Sequence, residues 1–220
     1  MKLFLGSANI EHIKELNEMG IISGITINPS LLSKEGEGHL ERIKNIIEIF
    51  DGLINVEGVE LELDKMVEEA IKLSELSKNI VGKILMCKVG LNAVKILTKE
   101  NVRTNVTVVY TPNQAILAAQ VGADYVSFFV GRSDDASISG LKVLEEATKI
   151  YKNYNISTKV IAASMRTPYY VTGAALAGAD IATIPYSTFN VMFKHAMSED
   201  SLRGFLSDWK NNMGNKKMFD

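Results

Sequence analysis

The chain has 220 residues, of which 46% are hydrophobic and 23% are charged, fractions near the globular average that exclude a disordered chain. The formal net charge of -2 gives no electrostatic footprint for a nucleic acid partner. A single cysteine, Cys87, excludes an internal disulfide and a paired-cysteine zinc site, and it favours a reducing, cytoplasmic location. We expect no secretory signal and no membrane span, because every apolar run is shorter than the ~18 residues that a span needs.

Short apolar runs alternate with amphipathic stretches along the whole chain. The predicted strands are residues 2–5, 22–26, 53–59, 80–86, 102–109, 125–130, 158–163 and 181–184. The predicted helices are residues 10–19, 41–50, 64–76, 91–99, 113–121, 141–151, 169–177, 188–195 and 202–211. Residues 31–40 are polar and carry two glycines, which is typical of a loop or a helix start.

This alternation predicts a parallel sheet, closed or open. No G-x-G-x-x-G motif follows an early strand, which weakens the case for an open dinucleotide-binding sheet. Eight strand-helix units in one chain of this length predict an α/β fold, a compact (β/α)8 TIM barrel with an extra C-terminal helix. We expect residues 1–220 to form a single domain, with two small domains as the alternative.

Polar residues interrupt several predicted strands, although buried parallel strands should be almost wholly apolar. In a barrel, residues at the carboxyl ends of the strands meet at the mouth where catalysis takes place. Asn105 and Thr107 are two residues apart, as are Ser127 and Phe129, so each pair shares a face. The positions of interest are Thr26, Asn28, Glu57, Lys83, Asn105, Thr107, Ser127, Phe129, Ser164 and Arg166.

Lys83 is the strongest single signal. A buried ammonium is costly unless it is paired or deprotonated, and a lysine with a lowered pKa can attack a carbonyl through its free amine. The alternative is an edge-strand lysine whose side chain reaches out to water. Glu57 lies on the preceding strand and favours a functional pair, although it could equally form a purely structural ion pair with Lys83.

Arg132 and Arg166 follow the sixth and seventh predicted strands, and Ser164 adds a hydroxyl donor beside Arg166. The planar guanidinium of arginine matches phosphate, and barrels often hold a phosphate near the last strands. Taken singly, an arginine is more often a solvated surface charge, but two arginines at strand ends make a phosphate site an equal alternative. The three histidines, His12, His39 and His195, share no ligand spacing. We therefore read them as surface residues and predict no metal site.

Longer sequence motifs contain most of these single residues. They are ITINPSLL (residues 25–32), VEEAIKLSEL (67–76), NIVGKI with Lys83, TNVTVVYTPNQAILAAQVGADYVSFFVGRSDD (104–135), AASMRTP (162–168), ALAGADIATIP (175–185) and FLSDW (205–209). In these motifs and their order the chain resembles the small transaldolases, a group that includes the fructose-6-phosphate aldolases. The resemblance covers nearly the whole chain.

The resemblance implies roles for the residues already identified. Lys83 corresponds to the Schiff-base lysine of these metal-free enzymes, and Glu57 and Thr107 to the pair that holds the catalytic water. The residues that correspond to the dihydroxyacetone pocket are Asn28, Asn105 and Ser127, and Thr26 and Phe129 are further candidate substrate-binding residues. Because the imine nitrogen serves as the electron sink, the resemblance also implies that no cofactor is needed. Those that correspond to the phosphate site are Arg132, Ser164 and Arg166. The substrates implied are sugar phosphates.

Two positions favour a transaldolase over an aldolase within this group, and one position departs from both. Aldolases of the family tend to carry Gln at the Glu57 position and Tyr at the Phe129 position. Gly6 stands where the family has an aspartate that accepts the proton of the C4 hydroxyl, and loss of a general base typically costs ~10²–10⁴ in rate.

Three functions therefore remain open. The first is a transaldolase of the pentose phosphate pathway, and the second is an aldolase-like enzyme with free dihydroxyacetone or another sugar phosphate. The third is a catalytically weak sugar-phosphate-binding protein. The resemblance also implies a homo-oligomer, a pentamer or decamer, in which the helix over residues 202–211 reaches a neighbour; packing of that helix on its own barrel is the alternative.

Overall fold

A computed structural model describes residues 1–36 and 38–219. Within these residues eight parallel strands close into a barrel in chain order, and helices alternate with them. The strands are β1 Lys2–Gly6, β2 Gly24–Ile27, β3 Leu53–Glu57, β4 Ile80–Leu85, β5 Thr104–Val109, β6 Tyr125–Phe129, β7 Lys159–Ala163 and β8 Ile181–Pro185. The predicted (β/α)8 barrel with a C-terminal helix is confirmed.

Helices cover the outside of the barrel. They are α1 Ile10–Glu18, α2 Pro29–Leu32, α3 His39–Ile49, α4 Leu63–Leu76, α5 Lys88–Lys99, α6 Pro112–Gln120, α7 Val130–Asp135, α8 Gly140–Asn153, α9 Pro168–Leu176, α10 Tyr186–Met192 and α11 Ala196–Met213. Among them α2, α6 and α9 begin with proline. Proline fits the first position of a helix because its fixed φ is helical and the missing N–H has no intrahelical partner there.

The interior of the barrel has an apolar floor at the amino ends of the strands. Phe4, Ile161 and Ile181 are buried there, and Leu53 and Tyr125 pack against them. Gly24 on β2 faces the Phe4 ring so closely that a Cβ at this position would lie 2.5 Å from the ring carbons. The ring therefore occupies the space that a side chain at position 24 would need. The floor fills this end of the barrel and leaves the carboxyl ends of the strands for polar groups.

Several predicted boundaries were wrong. The sixth strand ends at Phe129, and Val130 begins the short helix α7, because a brief apolar run has no periodicity that separates strand from helix. β7 ends at Ala163, so Ser164 lies beyond the strand rather than at its end. Residues 31–40 contain the end of α2, a 3-10 turn over Ser33–Glu35 and the start of α3.

The C-terminal helix α11 is longer than predicted and has no buried residue along its described length. Leu202, Phe205 and Leu206 are 59%, 72% and 62% exposed. Packing of this helix on its own barrel is therefore wrong, and a row of apolar side chains faces outward. In the part of the chain that the structure describes, we find no helix with the length and apolar character to cross a bilayer.

Gly131 in α7 marks a close contact between a helix and the barrel mouth. A Cβ at this position would lie 2.4 Å from the backbone oxygen of Ser164. We expect Gly131→Ala to lower the free energy of unfolding by about 1–3 kcal/mol, the usual cost of overpacking, as measured by urea denaturation.

The matched control is Gly204→Ala in α11, where a Cβ meets nothing within 4 Å. This change should leave the stability unchanged or raise it by up to about 1 kcal/mol, because alanine has the higher helix propensity. A Gly131→Ala protein as stable as the unmodified chain would contradict the close contact.

Candidate active site

A cavity of about 210 Å³ opens at the carboxyl ends of the strands. Most of the residues that the sequence pattern singled out line it: Thr26, Asn28, Lys83, Thr107, Ser127, Phe129, Arg132 and Ser164. Gly6 also lines it, together with four residues that the pattern did not single out, Leu31, Ala163, Thr183 and Pro185. The barrel thus brings residues from distant parts of the sequence to one mouth.

Lys83 and Glu57 form a buried ion pair beside this cavity. The two residues are partners in the register of β3 and β4, and Lys83 Nζ lies 2.8 Å from Glu57 Oε2. Lys83 is only 7% exposed, and the strand lies inside a closed sheet without edges, so an edge-strand lysine is wrong. Burial lowers the pKa of the Lys83 ammonium below its ordinary value, while the charge and hydrogen bond of Glu57 oppose that shift.

A chain of hydrogen bonds crosses the barrel below the lysine. Ser127 Oγ donates to Asn105 Oδ1 at 2.9 Å, and Asn105 Nδ2 donates to Asn55 Oδ1 at 2.9 Å. Asn55 and Asn105 are fully buried and Ser127 nearly so. Asn105 therefore reaches the cavity wall through Ser127, while the buried Nδ2 of Asn55 has no hydrogen-bond partner within the described residues. The pattern missed Asn55, although an asparagine two residues before Glu57 in a buried strand was a usable signal.

Thr107 sits at an irregularity in β5. The pairing of β5 with β6 shifts between Val106 and Val109, and Val108 has a φ of 63°. A left-handed φ is strained for a β-branched residue and costs about 1–3 kcal/mol. Within the described residues the buried Thr107 Oγ1 has no hydrogen-bond partner, so this hydroxyl can bind a group inside the cavity.

Two threonine hydroxyls lie next to Gly6. Thr26 Oγ1 and Thr183 Oγ1 are 2.5 Å apart, and either can be the donor. Gly6 pairs with Thr26 across β1 and β2. A Cβ on Gly6 would meet Thr183 Oγ1 at 3.5 Å and Thr26 Oγ1 at 3.7 Å, which is ordinary van der Waals contact. The mouth therefore has room for a side chain at Gly6.

The two arginines predicted as phosphate ligands have different surroundings. Arg132 lines the cavity, and its guanidinium lies 4.9 Å from the centre of the Phe129 ring. Arg166 makes a two-pronged ion pair with Asp135 near the surface, and this guanidinium holds the pKa of the Asp135 carboxyl below its usual value. Ser164 lines the cavity with a left-handed φ of 62°. The structure thus places Arg132 and Ser164 in the cavity wall, whereas Arg166 is paired with Asp135 outside the cavity lining.

The histidines lie away from the cavity lining. His12 is half-buried rather than a plain surface residue, since its ring stacks on Tyr186 with the ring centres 3.7 Å apart. Ser7 Oγ lies 3.3 Å from His12 Nδ1. His39 and His195 are exposed, as the sequence suggested.

Comparison with known proteins identifies what the chain is similar to. A family model described as transaldolase/fructose-6-phosphate aldolase matches residues 3–219. A probable transaldolase from Clostridium botulinum is 46% identical over 99% of this chain and 100% of its own length. Probable transaldolases from Clostridioides difficile and Methanococcus maripaludis are 48% and 46% identical over 96% and 97% of this chain, and over 97% and 99% of their own lengths.

The ion pair predicts the pH dependence of Lys83 reactivity. Only the free amine reacts with formaldehyde and cyanoborohydride, so modification of Lys83 should accelerate as the pH rises through its lowered pKa, below the ordinary range of a lysine. Glu57→Gln removes a charge that raises this pKa, so its midpoint should move to lower pH. Peptide mass mapping across a pH series measures both midpoints.

Lys149→Arg serves as a control that should leave the Lys83 midpoint unchanged, because Lys149 is exposed and pairs with Glu145 on α8. A Glu57→Gln midpoint at higher pH would contradict the assigned coupling, as would a Lys83 that titrates together with the exposed lysines.

Proposed function

Because the chain belongs to the transaldolase/fructose-6-phosphate aldolase family, we propose that it is a transaldolase of the pentose phosphate pathway. It moves a dihydroxyacetone unit from a ketose phosphate, such as fructose 6-phosphate or sedoheptulose 7-phosphate, to an aldose phosphate. The observation that carries this proposal is the buried Lys83 amine at the barrel mouth, 2.8 Å from the Glu57 carboxylate. A lysine with a lowered pKa is the nucleophile that Schiff-base chemistry requires.

In the first step the free amine of Lys83 attacks C2 of the ketose. The carbinolamine then loses its C2 hydroxyl as water and becomes an iminium, a step that needs a proton donor beside the nitrogen. Glu57 lies within hydrogen-bond reach of that nitrogen, so it can carry the proton. The free Thr107 hydroxyl holds the departing water, which later returns to release the product.

In the second step the bond between C3 and C4 breaks. Its electrons move toward the iminium nitrogen and leave an enamine of dihydroxyacetone on Lys83, while the C4 hydroxyl gives its proton to water at the open mouth and C4 becomes the aldehyde of glyceraldehyde 3-phosphate. The positive nitrogen serves as the electron sink. Erythrose 4-phosphate then accepts the three-carbon unit, and hydrolysis of the new iminium releases sedoheptulose 7-phosphate.

The remaining polar groups hold the substrate. Asn28 and Ser127 bind hydroxyls of the dihydroxyacetone part, Asn105 holds the Ser127 hydroxyl in place, and Thr26 and Phe129 shape the pocket. Arg132 and Ser164 bind the phosphate from the cavity wall. Arg166 joins them when the phosphate competes with Asp135 for its guanidinium, because both anions match the same fork of donors.

One observation favours a weakened or altered activity as the second candidate. In the described part of the chain the cavity lining contains no carboxylate and no imidazole, so a base for the C4 hydroxyl is not built into the wall at Gly6. The alternatives are an aldolase-like enzyme that uses another donor and a sugar-phosphate-binding protein that forms the iminium without cleaving its substrate.

Borohydride trapping with fructose 6-phosphate separates these functions. We expect a three-carbon adduct on Lys83, read by intact mass and peptide mapping, because cleavage leaves the dihydroxyacetone unit on the lysine. A six-carbon adduct alone would show that the iminium forms but cleavage stalls. Absence of any adduct would contradict the proposed function.

Lys83→Met removes the amine and should abolish the adduct, with circular dichroism to show that the variant folds. Lys149→Met at the surface is the matched control and should leave the adduct intact. Trapping that survives in Lys83→Met would assign the chemistry to another lysine.

The apolar face of α11 further supports a homo-oligomer, a pentamer or decamer, in which this helix is covered by another copy. Leu202, Phe205 and Leu206 would otherwise expose a contiguous apolar strip to water, which monomeric proteins rarely do. Light scattering should give a mass several times the 24.2 kDa of one chain. Phe205→Glu should lower that mass, Lys210→Gln should not, and a monomer for the unmodified chain would refute the assembly.

A further inference from the structure

We propose that Asp135 is an internal competitor for the phosphate site, a carboxylate that occupies Arg166 until the phosphate of a sugar substrate displaces it. The inference rests on the proposed function, because it deepens the phosphate site assigned there. It gives Asp135 a role that the sequence did not suggest, which is to set how tightly the barrel mouth holds a phosphate.

The first support is the geometry of the pair. Arg166 Nη1 donates to Asp135 Oδ1 at 2.5 Å, and Arg166 Nη2 donates to the other oxygen of the same carboxylate. Carboxylate and phosphate both present two oxygens to this fork of donors. Asp135 therefore takes the position on Arg166 that two phosphate oxygens would need, so the two anions exclude each other from the guanidinium.

The second support is that this carboxylate interacts with both arginines of the phosphate site. The hydrogen bonds of Arg166, and in addition the charge of Arg132, hold the pKa of the Asp135 carboxyl below its usual value. Asp135 is therefore ionised at neutral pH, and its charge acts on Arg132 in the cavity wall as well. A phosphate that arrives has to exchange with this charge.

The third support is the way in which Arg166 is held. A Cβ on Gly131 would lie 3.2 Å from Cδ and Nε of Arg166, so the arginine stem crosses α7 next to Arg132. The Arg166 side chain is nevertheless 47% exposed. Its guanidinium can therefore leave Asp135 by a change of the terminal rotamers while the stem keeps its place beside the cavity.

The neighbouring carboxylate, Asp134, has different partners. Its Oδ1 accepts a hydrogen bond from the backbone N–H of Gly140 at 2.9 Å, and it also accepts one from the Tyr170 hydroxyl. Asp134 thus fixes the start of α8, whereas Asp135 is bound by Arg166. Asp135 can therefore lose its partner while the contacts that hold α8 stay in place.

The consequence is a phosphate site of moderate affinity. A ligand that binds only the molecules in which Arg166 is released has its affinity reduced by that fraction. An exposed ion pair is weak, so the released fraction stays sizeable and the reduction is about 2–6-fold. Moderate affinity suits a transfer enzyme, because the phosphate of one sugar has to leave before the next sugar phosphate binds.

The test compares binding of inorganic phosphate to the unmodified chain and to Asp135→Asn by isothermal titration calorimetry. The dissociation constant should fall by about 2–6-fold in Asp135→Asn, because Arg166 is released and a negative charge near Arg132 is removed. An unchanged dissociation constant overturns the proposal. A dissociation constant that rises also overturns it, since Asp135 would then orient Arg166 for phosphate instead of competing with the phosphate.

Two further variants separate competition from net charge. Glu145→Gln on α8 is the matched control, because it also removes one exposed carboxylate, the partner of Lys149, and it should leave phosphate binding unchanged. In an Arg166→Met background, Asp135→Asn should lose most of its effect on the dissociation constant. Equal tightening in Glu145→Gln, or an undiminished effect without Arg166, would contradict a contest for this guanidinium.

Steady-state kinetics give a readout that a merely structural role would not produce. Asp135→Asn should lower the KM for fructose 6-phosphate by about the same 2–6-fold and should not raise kcat. A loss of kcat together with a raised KM would indicate a damaged site and would contradict the competition.

Phosphate binding requires no iminium, so the failure of this proposal and the failure of the proposed function are distinguishable. A borohydride adduct on Lys83, together with phosphate binding that ignores Asp135→Asn, refutes the competitor and leaves the Schiff-base function standing. Tightening in Asp135→Asn without any adduct supports the competitor and refutes the Schiff-base function. Phosphate that binds neither protein overturns the competitor.

Discussion

The burial of one ammonium group in a closed barrel is the constraint on which the site depends. An isolated buried charge costs several kcal/mol, and Lys83 avoids most of that cost through the Glu57 carboxylate at 2.8 Å. The contact exists because β3 and β4 pair in a register that puts the two residues side by side. The same burial lowers the pKa of the amine, while Glu57 opposes that shift, so burial prepares Lys83 for the proposed nucleophilic role.

The interior is layered to support this pair. An apolar floor, which includes Phe4 and Ile161, fills the amino end of the barrel, and the chain from Ser127 through Asn105 to Asn55 lies above it. Each layer satisfies a different requirement, since the floor supplies hydrophobic burial and the hydrogen-bonded chain fixes the amides. The unpaired Thr107 hydroxyl and the left-handed Ser164 lie at the cavity, where a substrate can use them.

The outline of the fold followed from the alternation of apolar runs and amphipathic stretches, and the candidate site followed from polar residues inside the runs. Two features of the structure were not predicted in this way. Asn55 and Thr183 lie in strands but carry small uncharged polar groups, which occur in many buried strands without a function. Helix α7 was not predicted, because Val130 extends the apolar run of β6 and gives no sign that a helix begins there. The need for glycine at position 131 arises from its contact with Ser164, which is distant in sequence.

The sequence by itself determined the barrel and the order of its elements and singled out Lys83 as the candidate nucleophile, because periodicity and an ammonium in an apolar strand are local properties. Only the tertiary structure decided which groups meet. It placed Arg132 in the cavity and paired Arg166 with Asp135. It also placed Gly6 beside the hydroxyls of Thr26 and Thr183. Such contacts depend on strand register and barrel closure, which join residues far apart in the chain.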